Sequence, residues 1–200
     1  MAKSDRDVFD RYFTHPKLAA RMVEFAQVER GLRILEPSAG RGNLLAPLKD
    51  REDLEVTALD ILEEQVQVLQ RTVQPWALRV SVQQADFLRW RPERRFDLAL
   101  MNPPFSDGRD CSHVCHALRF CDRVCCLVTA NFLYGVDRYH AVMANAYLKR
   151  QAILVRRPPP FGGPGDLGHT PQKDYTCLEL VKRPQTRTTE KEYPEVEFWL

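Results

Sequence analysis

A succession of short apolar runs, separated by turn residues and by stretches of helical spacing, constrains this chain most. The runs are LRILEP, EVTALDI, LRVSVQQADF, RFDLALMN, RVCCLVTANF, QAILVRR and DYTCLELVKR. Runs this short and this rich in Val, Leu and Ile read as strands. Between them, EEQVQVLQRTV places Val66 and Leu69 on one helical face, and SHVCHALRFCD and RYHAVMANAYLKR also read as helices. NLLAPLKD reads as a helix weakened by Pro47. Ahead of the first strand, Thr14-His15-Pro16 looks like a helix start, with Thr14 as N-cap and Pro16 in the first turn. Leu18, Met22 and Phe25 follow at helical spacing. Strands alternating with helices predict an α/β fold, a parallel sheet covered on both faces and joined by right-handed crossovers.

The 200 residues suffice for one domain with a sizeable core. With 44% hydrophobic and 28% charged residues the composition is that of a globular protein. A net charge of +2 is too mild to argue a nucleic-acid partner by itself. No apolar run approaches the ~20 residues of a membrane helix, and MAKSDRDVFDRYF lacks a signal-peptide core. A cytoplasmic protein without a membrane partner is expected. The domain is expected over residues 1–183, with 184–200 as a tail whose Phe198, Trp199 and Leu200 have no assigned docking place. The Pro/Gly-rich stretch 158–171 is a loop of uncommon length, and such loops are usually functional or disordered.

Five of the six cysteines crowd between Cys111 and Cys126. Without an export signal, disulfides are not expected. Cys111, His113, Cys115 and His116 offer metal-ligand types but no paired CxxC knuckle, so no metal is expected. Cys121, Cys125 and Cys126 lie in an apolar segment, where a free thiol behaves as a small hydrophobe.

Two constellations carry chemistry. In ILEPSAGRGN, Gly40 and Gly42 lie between a strand and an expected helix, where glycine lets a ligand approach the backbone. The spacing is not that of the dinucleotide fingerprint, and the lysine of a P-loop is missing. Glu36 at the strand end suits a cation better than a pyrophosphate. Asp60 ends the next strand, where an acid accepts from ribose hydroxyls. Asp86-Phe87 ends the third, a carboxylate for an adenine amine beside an aromatic face. A nucleoside bearing an amino acid and a positive sulfur fits this set: S-adenosylmethionine.

The second constellation is Asn102-Pro103-Pro104-Phe105, directly after the fourth run. An amide or exocyclic nitrogen attacks poorly because its lone pair is delocalised. Acceptors on its hydrogens, here the Asn102 side-chain oxygen and the Pro103 carbonyl, favour a pyramidal nitrogen and take up developing charge. Two prolines fix the direction of that carbonyl. Pre-set acceptors need little reorganisation during reaction. Phe105 offers a flat face for a base.

EPSAGRGN with NPPF resembles the class I S-adenosylmethionine-dependent methyltransferases that modify amino nitrogens, and among them the DNA adenine-N6 methyltransferases. YFTHPKLAARMV is similar to their N-terminal cofactor motif, with His15 where Pro or a small residue is frequent. The resemblance covers about residues 10–135, and more weakly to 182. It implies a Rossmann-like, seven-stranded, mostly parallel sheet whose last strand, DYTCLELVKR, runs antiparallel. It implies that Thr14 touches the methionine carboxylate and that Glu36, Ser38, Gly40 and Gly42 form the methionine pocket. Asp60 would bind ribose, Ile61 would lie against the adenine, and Asp86 and Phe87 would hold its edge and face. Asn102 and Pro103 would accept from the target amine, and Phe105 would stack on a base flipped out of DNA.

Many sequence-specific relatives carry a separate target-recognition domain, for which this chain has no room. Specificity is then low, or a short loop, a partner protein or an oligomer supplies it. Arg156, Arg157, His169 and Lys173 flank the 158–171 loop, within reach of phosphates. RNA base methylation, protein glutamine methylation and a non-catalytic cofactor-binding subunit are the alternatives. The short N-terminal region counts against the glutamine reading, and the intact Asn-Pro-Pro-Phe against the non-catalytic one.

Overall fold

The structure, a computed structural model, describes residues 13–155, 174–183 and 194–199. The predicted rim residues Arg156, Arg157, His169 and Lys173, most of the tail and the segment before Phe13 lie outside the described residues.

Helix α1 (Pro16–Phe25) leads into strand β1 (Arg33–Glu36). Then come β2 (Glu55–Asp60), α2 (Glu63–Val73), β3 (Arg79–Gln84), β4 (Phe96–Met101), α3 (Arg109–Phe120) and β5 (Cys121–Thr129). The chain closes with β6 (Ala146–Leu154), β7 (Tyr175–Lys182) and β8 (Glu195–Trp199). One sheet holds the strands in the order β3-β2-β1-β4-β5-β7-β6-β8. β7 is antiparallel to both of its neighbours, β5 and β6, and every other pair is parallel. The α/β fold with a mostly parallel sheet and β7 as its antiparallel strand is as expected.

Side-chain alternation sends each strand into two cores. Ile34, Leu98, Leu100, Cys125 and Leu127 pack with Leu18, Met22 and Phe25 of α1. Leu35, Ala99, Met101, Val124, Cys126 and Val128 pack with Val114, Ala117 and Leu118 of α3. The central strands are therefore apolar on both faces along most of their length, as a sheet covered on both sides requires. Edge strand β3 has no fully buried residue. The apolar surroundings hold the Cys126 and Cys177 thiols well above their usual range and push Cys121 up to about 12, so these are core side chains rather than nucleophiles.

A buried ionic cluster anchors α1. Glu179 of β7 is fully buried and accepts from Arg150 Nε at 2.6 Å and Arg123 Nη1 at 3.0 Å. The two guanidiniums reach on to the C-terminal carbonyls of α1: Arg150 to Phe25 O, and Arg123 to Ala26 O at 3.2 Å. Carbonyls that end a helix have no partner within it, so these arginines satisfy groups that burial would otherwise leave bare.

The structure departs from the sequence reading in four places. His15, not Thr14, caps α1: its Nδ1 accepts from Lys17 N at 3.2 Å. The expected NLLAPLKD helix shrinks to a single 3₁₀ turn, Ala46–Leu48, because Pro47 has no N–H to extend it. RYHAVMANAYLKR is not one helix. A short helical piece, Val136–Arg138, and a π turn, Tyr139–Met143, give way to β6 at Ala146. There, pairing of Ala146 to Leu148 with Lys182 to Leu180 wins over local propensity. Among the described residues the sheet has eight strands rather than seven. The extra one, β8, comes from the segment read as a tail and runs parallel to β6, from Arg150↔Glu195 to Leu154↔Trp199, so the last strand in the chain is not the antiparallel one. Trp199 is buried, its ring 5.4 Å from Phe25 and perpendicular to it, whereas Phe198 is exposed.

Candidate active site

The C-terminal ends of β1, β2, β3 and β4 surround a cleft of about 380 Å³. Open parallel sheets bind ligands at those ends. Of the residues singled out in the sequence, Ser38, Gly40, Asp60, Ile61, Asp86, Phe87, Asn102 and Pro104 border it. Thr14, Glu36, Gly42, Pro103 and Phe105 are not among the bordering residues and stand around them.

The turn after β1 is shaped by backbone bonds that need its glycines. Gly40 and Gly42 have φ of 52° and 82°, a region costly for any residue with a Cβ. A Cβ on Gly42 would lie 2.8 Å from Leu69 Cδ1, so its bareness lets the turn rest on α2. Gly40 N donates to Asp60 Oδ2 and Leu62 N to Asp60 Oδ1, each at 2.9 Å. The Asp60 carboxylate thus ties the β1 turn to the end of β2 while facing the cleft. Burial raises its pKa, and the N–H bonds oppose that rise. Next to it, Ile61 presents an apolar side chain that is 50% exposed.

Glu36 is buried, and among the described residues its Oε2 has no hydrogen-bond partner. Burial, and then the charge of Asp60, hold its pKa well above the usual carboxylate range. An acid whose charge burial disfavours, with one oxygen unpartnered among the described residues, favours the arrival of a cation. Asp86 accepts from Leu88 N at 3.0 Å and pairs with Arg89 at 3.4 Å. Phe87 is a buried wall, its ring against His113 and His116.

Asn102 leaves β4 at the far side of the cleft. Its Nδ2 donates to Thr14 Oγ1 at 3.1 Å, which fixes the orientation of the amide. Thr14 O in turn accepts from Asn43 Nδ2 at 3.1 Å, so the start of α1, the β1 turn and the end of β4 are stitched together. The Phe105 ring is buried and packs on Tyr175 at 5.2 Å.

Several cleft residues went unmarked in the sequence: Phe13, Leu62, Gln65, Leu88, Arg109 and, as a cleft residue, His113. Phe13 stacks with the Arg41 guanidinium at 4.5 Å. Arg109 and His113 stand four apart on α3, hence on one face. That spacing, just after NPPF, is the signal that could have found them. Among the described residues no group of three or more His, Cys, Asp and Glu side chains could hold a metal. His113 Nδ1 is bound to Arg109 O and His116 Nε2 contacts Trp90 O.

A nucleotide-sized cleft with acids at three successive strand ends and Asn-Pro-Pro at the fourth defines a class I methyltransferase. Residues 18–136 match the methyltransferase small domain, and the chain belongs to that family. A tRNA1(Val) (adenine(37)-N6)-methyltransferase of Enterobacter sp. (strain 638) is 40% identical over 87 residues, 40% of this chain and 35% of that protein. The Type II methyltransferase M.TthHB8I of Thermus thermophilus is 33% identical over 110 residues, 54% of this chain and 24% of that protein. The matches thus span about a third or less of these two relatives. In fold the chain is similar to the 23S rRNA methyltransferase ErmE, with a TM-score of 0.63 and 20% identity over 86% of this chain and 70% of that one. It is also similar to a protein of Pyrococcus horikoshii proposed to be an RNA methyltransferase, with a TM-score of 0.68 and 18% identity over 90% of this chain and 91% of that one.

S-adenosylmethionine is the cofactor, and the residues present fit it. The unpartnered Glu36 Oε2 answers a cationic group, the glycines leave the turn bare, and Asp60 and Asp86 supply acceptors along the cleft.

Proposed function

We propose that the chain methylates N6 of adenine in nucleic acid, with DNA as the acceptor to test first. The observation that carries this reading is Asn102, held by Thr14 beside the donor cleft and followed by two prolines. The DNA preference rests on the family resemblance of NPPF and on the Thermus relative, whose match covers more of this chain than the Enterobacter one.

The cofactor supplies an electrophilic methyl on a sulfonium sulfur. Ser38, Gly40 and Glu36 would hold its amino-acid end, Asp60 the ribose, and Ile61, Asp86 and Phe87 the adenine. The target amine would donate its hydrogens to Asn102 Oδ1 and Pro103 O. Those acceptors turn the nitrogen lone pair toward the cleft and take up positive charge as it develops. Thr14 spares Asn102 the search for that orientation, which is the preorganisation that lowers a barrier. The donor is reactive enough that no strong base is needed, and the proton leaves afterwards. In a duplex the amine is unreachable, so the adenine must be extruded, which is easiest where pairing is weak. Phe105, whose ring rests on Tyr175, would stack on the extruded base.

A specific observation favours RNA as a second reading: the Enterobacter relative's name assigns it adenine 37 of a tRNA. Label transfer from methyl-tritiated S-adenosylmethionine into unmethylated duplex DNA and into total tRNA, with Asn102→Ala as control, decides between them. N6-methyladenine in DNA that vanishes in the variant is expected. Label in tRNA alone would replace the first reading with the second, and label in neither would overturn both.

A further inference from the structure

Gln65, Arg109 and His113 border the cleft without a part in the roles above. His113 of α3 borders the cleft, its ring 5.5 Å from that of Phe87 and inclined by 44°. Its Nδ1 lies 2.8 Å from Arg109 O. A carbonyl oxygen can only accept, so Nδ1 carries the proton, and Nε2 of the neutral ring is an acceptor. Burial favours that neutral ring by lowering the imidazole pKa. Among the described residues no hydrogen bond reaches Nε2. His116, one turn further on, differs: its Nε2 already contacts Trp90 O and Arg91 Nη1, both at 3.1 Å.

An adenine amine carries two hydrogens. Asp86 can take one. The second, enclosed in the cleft without a partner, would cost binding energy. Arg109 also borders this part of the cleft but has only donors to offer. Gln65 Oε1 is another acceptor bordering the cleft, but His113 is the one packed on the ring of Phe87, next in sequence to Asp86.

We propose that His113 is a specificity-determining residue for the methyl donor, its Nε2 accepting the second hydrogen of the donor's adenine amine alongside Asp86. The cleft then reads a 6-aminopurine and refuses a 6-oxopurine, whose oxygen would face two acceptors. The inference concerns the donor and holds whether the methyl goes to DNA or RNA.

Isothermal titration of the full chain with S-adenosylhomocysteine and with its 6-oxo counterpart, S-inosylhomocysteine, tests it without any turnover. The proteins are wild type, His113→Leu and His113→Gln. Leucine should weaken S-adenosylhomocysteine about five- to tenfold, the worth of one neutral hydrogen bond. Glutamine, whose amide oxygen accepts, should restore most of it. S-inosylhomocysteine should bind the wild type weakly and should not be weakened by leucine, which removes one of the two acceptors facing its oxygen. Equal weakening of both ligands by leucine would reduce His113 to a packing wall and overturn the proposal. So would unchanged S-adenosylhomocysteine affinity, or glutamine no better than leucine. A wild type that binds neither ligand would remove the cofactor assignment and the proposal together. A wild type that binds both as expected but methylates no nucleic acid would overturn only the proposed acceptor.

Discussion

Thr14 shows how much one hydroxyl can decide. The sequence reading gave it two tasks, helix cap and carboxylate ligand, and the structure gives the cap to His15 and turns the hydroxyl to Asn102. Thr14→Val should therefore lower kcat by about tenfold, one hydrogen bond's worth of misorientation, with Thr14→Ser near wild type. A loss confined to S-adenosylhomocysteine affinity would instead restore the carboxylate role. Glu36 makes a prediction in pH. Its folded pKa is raised, so the stability it lends the ligand-free protein is fully present below the unfolded value and lost as pH rises through the folded one. A cofactor cation would reverse that preference by favouring the carboxylate. Binding should then release protons, and affinity should rise with pH up to the folded pKa. Titration calorimetry in buffers of different ionisation enthalpy measures the released protons. Glu36→Gln should diminish the release and weaken binding at least tenfold. Undiminished release in the variant would shift its origin to Asp60, whose pKa is also raised.

Elements were legible where a pattern was both local and long enough. α2 is found at Glu63–Val73 as its apolar spacing indicates, and β4 stops at Met101, just before Asn102 and the prolines. The motif residues Gly40, Asp60, Asp86 and Asn102 meet at one cleft because strand ends in a parallel sheet share an edge. Illegible were features set by distant partners. Ala146–Arg150 has helical residues, yet β7 claims it as strand. Cleft residue Phe13 reaches the site from the segment ahead of α1, which no local pattern announces, whereas only the four-residue spacing from Arg109 marks His113. The Glu179 cluster belongs here too. In sequence, Arg123, Arg150 and Glu179 are unrelated charges; in the fold they join three strands to α1. Glu179→Ala would leave buried guanidiniums uncompensated and should cost ~3–5 kcal/mol, read as a shift in the urea midpoint. A change below ~1 kcal/mol would mean that water reaches the arginines and that the cluster is not a buried one.

At the scale of the whole molecule, β8 links the far edge of the sheet to the site. It covers β6, which would otherwise present a bare row of backbone groups. Its Trp199 leans on Phe25 at the end of α1, and Arg21 stacks over the same indole at 5.6 Å. The other end of α1 follows Thr14, which holds Asn102. A strand remote in sequence thus steadies the helix that orients the candidate catalytic amide. Removing residues 194–200 should expose the β6 edge and empty the Trp199 site. Loss of a buried tryptophan alone costs ~3–5 kcal/mol, so the melting temperature should fall by at least ~6 °C, with self-association visible by light scattering. Trp199→Ala should reproduce the loss of stability but not the association, because it keeps the strand. The cleft itself is built mainly from the ends of β1 to β4 and from α2 and α3, with Phe13, among the described residues, its one lining residue from the α1 side. S-adenosylhomocysteine affinity should therefore stay within about twofold of wild type in any variant still folded at the assay temperature, while kcat drops as α1 loosens. An unchanged melting temperature after the deletion would show that β8 contributes nothing to the fold, and the route from the tail to Asn102 would fall with it.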